Sequence, residues 1–434
     1  MSNDAPSGSS TRSTELTRTL GPVQLVFYCV GVIVGAGVYS IIGSAAGLAG
    51  LGVWLGFVLA ALVALLTAFS YAEMATSFPS AGAEYIYVRR AFPRCRFLSF
   101  STGILILIGA GATAATVAVA FGGYLQTFVD IPVGASAFTL LAFCALINLW
   151  GLQESSWVNI AFTCIEISGL LLVIAAGAVG GDLTAPLSAP IQPGLLPAAA
   201  VLFFVFLGFE EIANLAEEIH DPSRVLPRAL FLSMAITTLL YVLVSLAVVV
   251  LASPAELAAS KAPLATAIQK VWPGAAHLLS AIALFATANT VLITLVAASR
   301  LVFSLARDSE LPKIFAGVTA ERRSPWMGAM LSFLLSAALL PIGDLKILAE
   351  LSSFVAMLAF LAVNITLLVL RYQLPEHPRP FRVPLQLGRL ALIPLAAVAS
   401  ILVLLVGFDG KVYVAGGVVI ALICLAYVVR GWWR

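Results

Sequence analysis

Charged residues are scarce in this chain. Of its 434 residues only 10% are Asp, Glu, Lys or Arg, whereas 61% are hydrophobic. A soluble domain carries about a quarter charged residues, because its surface must be hydrated. A soluble globule, a disordered chain and a secreted scaffold are therefore excluded, and the composition requires a lipid solvent. The charges of the 23 basic and 21 acidic residues nearly cancel. The chain therefore lacks the net positive charge that is typical of a nucleic-acid-binding protein.

Cysteine and histidine are also few. The five cysteines are scattered and odd in number, and the three histidines show no helical pairing. We therefore expect no disulfide framework, no metal site and no other cofactor. The sequence also lacks a phosphate-binding loop and a Ser/His/Asp set, so an enzyme is not predicted. Residues 1–20 are polar and rich in Ser and Thr, and they are predicted to form a disordered cytoplasmic tail.

Long apolar runs, by contrast, are abundant. Runs of roughly 20 apolar residues are typical of membrane-spanning helices, because open strands and loops leave backbone groups unsatisfied in lipid. The sequence predicts an all-α integral membrane protein with about twelve spans. The spans lie near 22–44, 52–76, 97–125, 133–151, 157–181, 195–216, 229–252, 275–304, 326–342, 347–371, 390–408 and 412–431.

The basic residues indicate an orientation. Lys and Arg are enriched in cytoplasmic loops. With an even number of spans and the N-terminus inside, the outer loops hold only four of the 23 basic residues, Lys261, Lys270, Lys346 and Lys411. We therefore predict that both termini face the cytoplasm and that the protein lies in the cell membrane.

Glycine interrupts two of the predicted spans near their middle. The first contains Gly35 and Gly37, and the sixth contains Gly208 followed by Glu210 and Glu211. Small residues can form a packing face between helices, which is one explanation of the first pair. Interruptions at corresponding positions of two halves are, however, typical of transporters whose binding site lies at the midplane.

A broken helix exposes backbone groups that can bind a charged ligand. The amides of Gly37 and Val38 at the positive end of a helix suit a carboxylate. The carbonyls freed at the two breaks suit an ammonium group or another cation. These carbonyls belong to Ile33, Val34, Phe204 and Phe206. Together the two kinds of group predict a zwitterionic amino acid as substrate.

Five motifs in this order resemble the amino acid–polyamine–organocation family of permeases. In chain order they are Gly35-Ala36-Gly37, the segment FPSAGAEYIYVRRAF (78–92), the group Phe204, Gly208, Phe209 and Glu210, and the segments DPSRVLPRAL (221–230) and ASRLVFSLARDSELP (298–312). The resemblance covers nearly the whole chain and implies the leucine-transporter fold. It implies inverted repeats of five spans each at 21–181 and 194–371, with peripheral helices at 390–431.

The resemblance also implies roles for single residues. Phe204 falls where the family places an aromatic gate over the substrate, with packing against lipid or protein as the alternative. Glu210 matches a glutamate beside the inner gate, and Glu211 departs from the family in a way that would favour cationic substrates. Adjacent residues of a helix point about 100° apart, so we do not expect both glutamates to face the same cavity. Small residues are expected to form the pocket wall together with Phe204 and Phe209. These small residues are Ala36, Gly109, Ala110 and Gly111.

Glu166 lies near the middle of the fifth span. A carboxylate at that depth costs ~2.5–3.5 kcal/mol on insertion scales and marks a functional site by default. Many proton-coupled members of the family carry a lysine at about this place. We predict that Glu166 takes up a proton or binds a cation near polar groups of the eighth span, with a structural, hydrogen-bonded glutamate as the alternative. These groups are Thr287, Asn289, Thr290 and Thr294.

The function predicted is secondary active transport of amino acids by alternating access, as proton-coupled symport or exchange. Sodium coupling stays open. The alternatives are a carrier of amines, polyamines or cationic amino acids and, further away, a channel or membrane receptor. The expected partners are a small-molecule substrate and the lipid bilayer, without nucleic acid or an obligatory protein. Glu73 and Glu350, near span ends, are expected to snorkel to the interface.

Overall fold

The structure is a computed structural model that describes residues 21–79, 82–150, 156–216, 219–318 and 324–430. The predicted tail, 1–20, lies outside the described residues. The described chain is almost entirely helical, with one short hairpin of β1 (Gln386–Leu387) and β2 (Leu390–Ala391). The helices are α1 (Pro22–Val34), α2 (Gly37–Ala49), α3 (Val53–Ser77), α4 (Ala83–Ala91), α5 (Arg96–Leu125), α6 (Val133–Trp150), α7 (Ser156–Gly180), α8 (Leu195–Leu202), α9 (Glu211–Asn214), α10 (Pro222–Leu251), α11 (Pro254–Ala259), α12 (Pro263–Gln269), α13 (Pro273–Arg307), α14 (Trp326–Leu339), α15 (Leu345–Gln373), α16 (Leu392–Leu405) and α17 (Gly410–Arg430).

The predicted spans coincide with helices. Within the described ranges, nine helical stretches are long and apolar enough to cross a membrane, and one of them, Gly37–Ser77, joins α2 to α3. Three shorter apolar stretches, Pro22–Val34, Trp326–Ile342 and Leu392–Leu405, account for the rest of the first span and for the ninth and eleventh. The all-α membrane class is therefore confirmed. The first and sixth spans are each divided, into α1 and α2 and into α8 and α9.

In four of the five pairs of spans that lie five apart, the helices pack against each other. The second span, α3, lies along the seventh, α10; the third, α5, lies along the eighth, α13; and the fourth, α6, contacts the ninth, α14. The divided first and sixth spans meet through α2 and α8. Such pairing is what two repeats of five spans would produce, although the repeat boundaries themselves stay a prediction.

The expectation for Glu73 is wrong, because its side chain is fully buried rather than snorkelling. Glu73 ends the second span, and its carboxylate accepts hydrogen bonds from Arg371 Nε at 3.0 Å, Arg379 Nη1 at 2.9 Å and the Val383 amide at 2.7 Å. Two cations and a backbone donor compensate the desolvation of one carboxylate. The ion pair joins α3 to the end of α15.

Glu350 is also buried, at the opposite end of α15, so the snorkelling expectation is wrong there too. Its carboxylate lies 3.4 Å from Lys346 Nζ and accepts a hydrogen bond from the Asp409 amide at 3.1 Å. Lys261 and Lys270 pair at this same end, with Gln126 and Glu256. The lysines predicted to lie outside therefore gather at one end of the bundle.

Arginines occupy the other end. Arg89 of α4 pairs with Asp308 at 3.2 Å, after the end of α13, and Arg430, the last residue of α17, pairs with Glu310. The guanidinium of Arg430 also lies 5.4 Å from the centre of the Phe100 ring. Lys261, Lys270 and Lys346 therefore lie at one end of the bundle, and Arg89 and Arg430 lie at the other.

Candidate functional site

The first break lies between α1 and α2, at Gly35 and Ala36. The Ala36 amide donates to Thr290 Oγ1 of α13 at 3.0 Å, so a side-chain oxygen replaces the lost helical acceptor. A Cβ atom on Gly35 would stand 2.9 Å from the same oxygen. Glycine is therefore needed here because α13 approaches the break closely. Close approach, and not helix flexibility alone, explains the motif in the first span.

The second break separates α8 from α9 by a turn of 3₁₀-helix, Phe203–Phe206, and an extended residue, Leu207. Gly208 follows with φ +113°, a conformation that L side chains rarely adopt. Its amide donates to Glu210 Oε2 at 2.8 Å. A Cβ atom on Gly208 would stand 2.7 Å from Val32 Cγ1, so the two breaks are in direct contact.

The hydroxyl of Tyr241, on α10, joins both breaks. It lies 2.6 Å from the carbonyl oxygen of Ile33 and 3.1 Å from that of Val205. The phenol ring is fully buried against Phe57 and Phe206. The Ile33 carbonyl, which the sequence predicts as a ligand for an ammonium group, is thus occupied by a protein donor. Sequence reasoning missed Tyr241, because no local pattern singles out this tyrosine in an apolar run.

Tyr241→Phe is expected to weaken substrate binding more than it weakens the fold. The substitution keeps the ring but leaves the carbonyls of Ile33 and Val205 without their donor, at a cost of about 1–3 kcal/mol. The expected result is a rise in KM of about 5- to 100-fold for uptake into proteoliposomes.

Tyr124→Phe is the matched control, since its buried hydroxyl donates to a helical carbonyl, that of Tyr39, at 2.9 Å. Both variants should lose similar thermal stability. Equal effects of the two variants on KM would contradict a special role of Tyr241.

A cavity lies beside the two breaks. Its volume of about 140 Å³ is close to that of an engineered cavity of roughly 150 Å³ that holds benzene. It is therefore suited to a small molecule. The residues around it come from five spans and from α4. They are Tyr28, Gly31, Val32, Glu84, Ile106, Gly109, Ala110, Thr113, Leu207, Gly208, Glu210, Glu211, Asn289, Thr290, Ile293, Thr294, Ala297, Ser352, Ala356, Ala359 and Phe360.

The cavity wall contains part of the predicted site. The predicted residues in the wall are Gly109, Ala110, Gly208, Glu210, Glu211, Asn289, Thr290 and Thr294. Other predicted residues lie next to the breaks without lining the cavity. These are Ile33, Val34, Gly35, Ala36, Gly37, Val38, Phe204, Phe206, Phe209, Glu166 and Thr287.

The three phenylalanines of the sixth span that the sequence analysis named are buried and do not line the cavity. Phe206 packs on Tyr241, and Phe209 packs on Tyr71 and Phe360. Phe204 is 3% exposed and does not line the cavity in this conformation. The aromatic residues in the cavity wall are Tyr28, on α1, and Phe360, on α15, and the sequence analysis named neither. The gating role of Phe204 stays a prediction.

Glu166 is buried between the fifth and eighth spans. Its Oε1 accepts a hydrogen bond from Asn289 Nδ2 at 3.2 Å, and its backbone carbonyl accepts one from Tyr39 at 2.7 Å. Its neighbour Ile165 is 40% exposed, so the helix turns its apolar residue outward and the carboxylate inward. Thr287, also predicted near Glu166, uses its hydroxyl within α13, on the carbonyl of Ala283. Asn289 connects Glu166 to the cavity wall.

Three carboxyl groups line the cavity toward the arginine-bearing end. Glu210 and Glu211 both line it, so the prediction that these adjacent residues would not face the same cavity is wrong. They lie where the second break meets α9 and not within a long regular helix. Glu84, on α4, was not singled out by the sequence analysis. Glu84 accepts a hydrogen bond from Tyr71 at 3.1 Å. Burial raises the pKa of the Glu84 carboxyl to about 7, with a further contribution from the nearby charge of Glu211. Among the described residues, no three His, Cys, Asp or Glu side chains form a metal-binding group.

Two divided helices that meet at a cavity inside a bundle of apolar helices define a membrane transporter. Comparison with known families agrees over the whole bundle: residues 20–429 match the amino acid permease model. The chain belongs to this family, within the amino acid–polyamine–organocation group, and its function is transport and not enzymatic catalysis.

Characterised and uncharacterised relatives align over most of the chain. An uncharacterised transporter of Mycobacterium bovis is 31% identical over 96% of this chain and 92% of its own length. A branched-chain amino acid permease of Bacillus subtilis is 29% identical over 85% of this chain and 84% of its own. A vacuolar cationic amino acid transporter of Arabidopsis thaliana is 30% identical, over 83% of this chain and 64% of its own.

Proposed function

We propose that this permease binds an amino acid in the cavity beside the two helix breaks and carries it by alternating access. The observation that supports this proposal best is the direct contact of the breaks: Gly208 packs on Val32, and Thr290, on the cavity wall, accepts a hydrogen bond from the Ala36 amide. Backbone groups of both divided helices therefore lie near the same cavity, which is large enough for a small molecule.

The two ends of the substrate are assigned to different breaks. The α-carboxylate is placed at the N-terminus of α2, where the amides of Gly37 and Val38 belong to a first turn without intrahelical acceptors. The α-ammonium group is placed toward Glu210 and the carbonyls that precede Gly208. A change of conformation that separates Thr290 from Ala36 would open the path from the cavity to α2.

Ligand-induced stabilisation of the purified protein tests this proposal. A ligand that binds only the folded state at 100 times its Kd stabilises by about 2.7 kcal/mol, which is readily seen as a rise in melting temperature. We expect a rise with at least one amino acid and none with the corresponding des-amino acid, which lacks the ammonium group. A panel of amino acids and amines without any rise would overturn the proposal.

The second candidate substrate class is cationic amino acids and amines. Three carboxyl groups, Glu84, Glu210 and Glu211, line the cavity, whereas none of the described residues in its wall is Lys or Arg. A relative named as a cationic amino acid transporter aligns with this chain. Stronger stabilisation by lysine, arginine or a polyamine than by neutral amino acids would favour this class.

Orientation and coupling complete the proposal. We place the protein in the cell membrane with both termini in the cytoplasm, since the arginine-bearing end carries most of the basic residues. The cavity reaches Glu84 of α4 at that end, so the conformation described here is assigned to the inward-facing side of the cycle. The coupling ion is proposed to be a proton acting through Glu166, with sodium as the alternative.

A further inference from the structure

The cavity wall formed by α5 and α15 is apolar except at one place. On α5 the lining residues are Ile106, Gly109, Ala110 and Thr113, which recur at the spacing of one helix face. On α15 the lining residues follow the same rule. They are Ser352, Ala356, Ala359 and Phe360. Among these eight, only Thr113 and Ser352 carry a hydrogen-bonding side chain.

These two hydroxyls are paired across the helices. Thr113 Oγ1 and Ser352 Oγ lie 2.6 Å apart, and Ser352 Oγ also lies 3.3 Å from the carbonyl oxygen of Gly109. A carbonyl can only accept, so Ser352 donates its proton to Gly109 and Thr113 donates its proton to Ser352. Both hydroxyl protons are then used within the wall. The remaining capacity of Thr113 is that of an acceptor.

The helix breaks contribute another part of the cavity wall. This part contains Gly31 and Val32 of α1 and Leu207 and Gly208 of the second break. A substrate held at the breaks by its charged groups would direct its side chain toward α5 and α15. Small residues, Gly109 and Ala110, leave room for it there. The wall thus offers one acceptor within a surface that is otherwise apolar.

We infer that the Thr113–Ser352 pair determines side-chain specificity and selects small amino acids whose side chain donates a hydrogen bond, threonine above its isostere valine. This inference rests on the proposed function and deepens it. A site that hydrogen-bonds a substrate hydroxyl disfavours the analogue without it, because the acceptor, here Thr113 Oγ1, then loses a hydrogen bond. Valine fills the same volume as threonine but offers a methyl group in place of the hydroxyl.

Uptake of threonine and valine into proteoliposomes tests the inference. We expect the wild-type KM for valine to exceed that for threonine by about tenfold, the ratio expected for one hydrogen bond. Thr113→Val replaces the hydroxyl by a methyl group of the same size and is expected to bring the ratio close to one. Ser352→Ala, which removes the acceptor for the Thr113 proton, is expected to lower the ratio as well.

Thr116→Val is the matched control. Thr116 lies one turn further along α5, is fully buried, and donates within the helix to the carbonyl of Ala112 at 2.7 Å. It does not line the cavity, so its loss should leave the ratio of the two KM values unchanged. Valine uptake by Thr113→Val and Ser352→Ala shows that each variant is folded.

The possible outcomes separate the inference from the proposed function. An equal KM for threonine and valine in the wild type would overturn the inference. So would an unchanged ratio in Thr113→Val and Ser352→Ala, while amino acid transport as such would stand. Absence of uptake of any amino acid by the wild type would overturn the proposed function and the inference together.

Discussion

Replacing Gly208 by alanine is expected to abolish transport. The residue has φ +113°, where an L side chain costs about 1–3 kcal/mol. The new methyl group would also stand 2.7 Å from Val32 Cγ1 and 3.2 Å from the Val32 carbonyl oxygen. Either the second break must change its backbone path or it must move away from the first. We expect uptake into proteoliposomes to fall at least tenfold.

Two further variants make the test of Gly208 specific. Gly417→Ala, on the exposed face of α17 with nothing near the new methyl group, should leave transport intact. Val32→Ala in the Gly208→Ala background removes the closer of the two clashes but not the backbone strain. The double variant is therefore expected to recover part of the activity, as coupling between neighbouring positions requires. Full activity of Gly208→Ala alone would show that the contact between the breaks is not needed.

The architecture could be predicted because lipid imposes it. A helix that spans a bilayer must satisfy its backbone within itself, so apolar runs alone locate the spans, as at α5 and α10. The helix breaks were predictable for a related reason. Gly35 and Gly208 destabilise a helix near the middle of a span, where unsatisfied backbone groups are costly. The structure shows that a second helix approaches each of them closely.

Which side of each helix faces the protein core, and which faces lipid, could not be predicted equally well. Spans that are apolar all round carry no periodic signal that separates lipid-facing from core-facing residues. The sequence therefore could not distinguish Phe204, which is buried behind the breaks, from Phe360, which lines the cavity. Tyr241 escaped notice for the same reason.

Ion pairs between distant segments were also beyond local reasoning. Glu73 and Arg371 are 298 positions apart, and the sequence around either residue does not indicate that the other is its partner. Snorkelling is the default for a carboxylate near a span end only when no partner is known. Because the fold brings Arg371 and Arg379 to Glu73, the two cations compensate the burial of its carboxylate, and the expectation of snorkelling is wrong. Glu350 departs from it too, because besides the local partner Lys346 its carboxylate accepts a hydrogen bond from the amide of Asp409, 59 positions away.

Glu166→Gln is expected to uncouple transport from the ion gradient that drives it. Glutamine has the shape of glutamate, and its carbonyl oxygen can still accept the 3.2 Å hydrogen bond from Asn289. What the substitution removes is the ability to exchange a proton or to balance a cation. We therefore expect substrate binding and substrate–substrate counterflow to persist, while accumulation driven by a proton gradient falls at least tenfold.

The measurement compares counterflow with gradient-driven uptake in the same proteoliposomes, with a proton gradient or a sodium gradient imposed in turn. Glu350→Gln is the control, because it neutralises another buried carboxyl group, at the lysine-bearing end of α15. That variant should lose stability through its bond to Lys346 but keep the response to the gradient. Loss of the proton response alone identifies Glu166 as the proton site, and loss of the sodium response alone identifies it as a cation site. A Glu166→Gln protein that still accumulates substrate in response to either gradient would reduce Glu166 to a structural partner of Asn289, because the variant can keep that hydrogen bond but cannot exchange a proton.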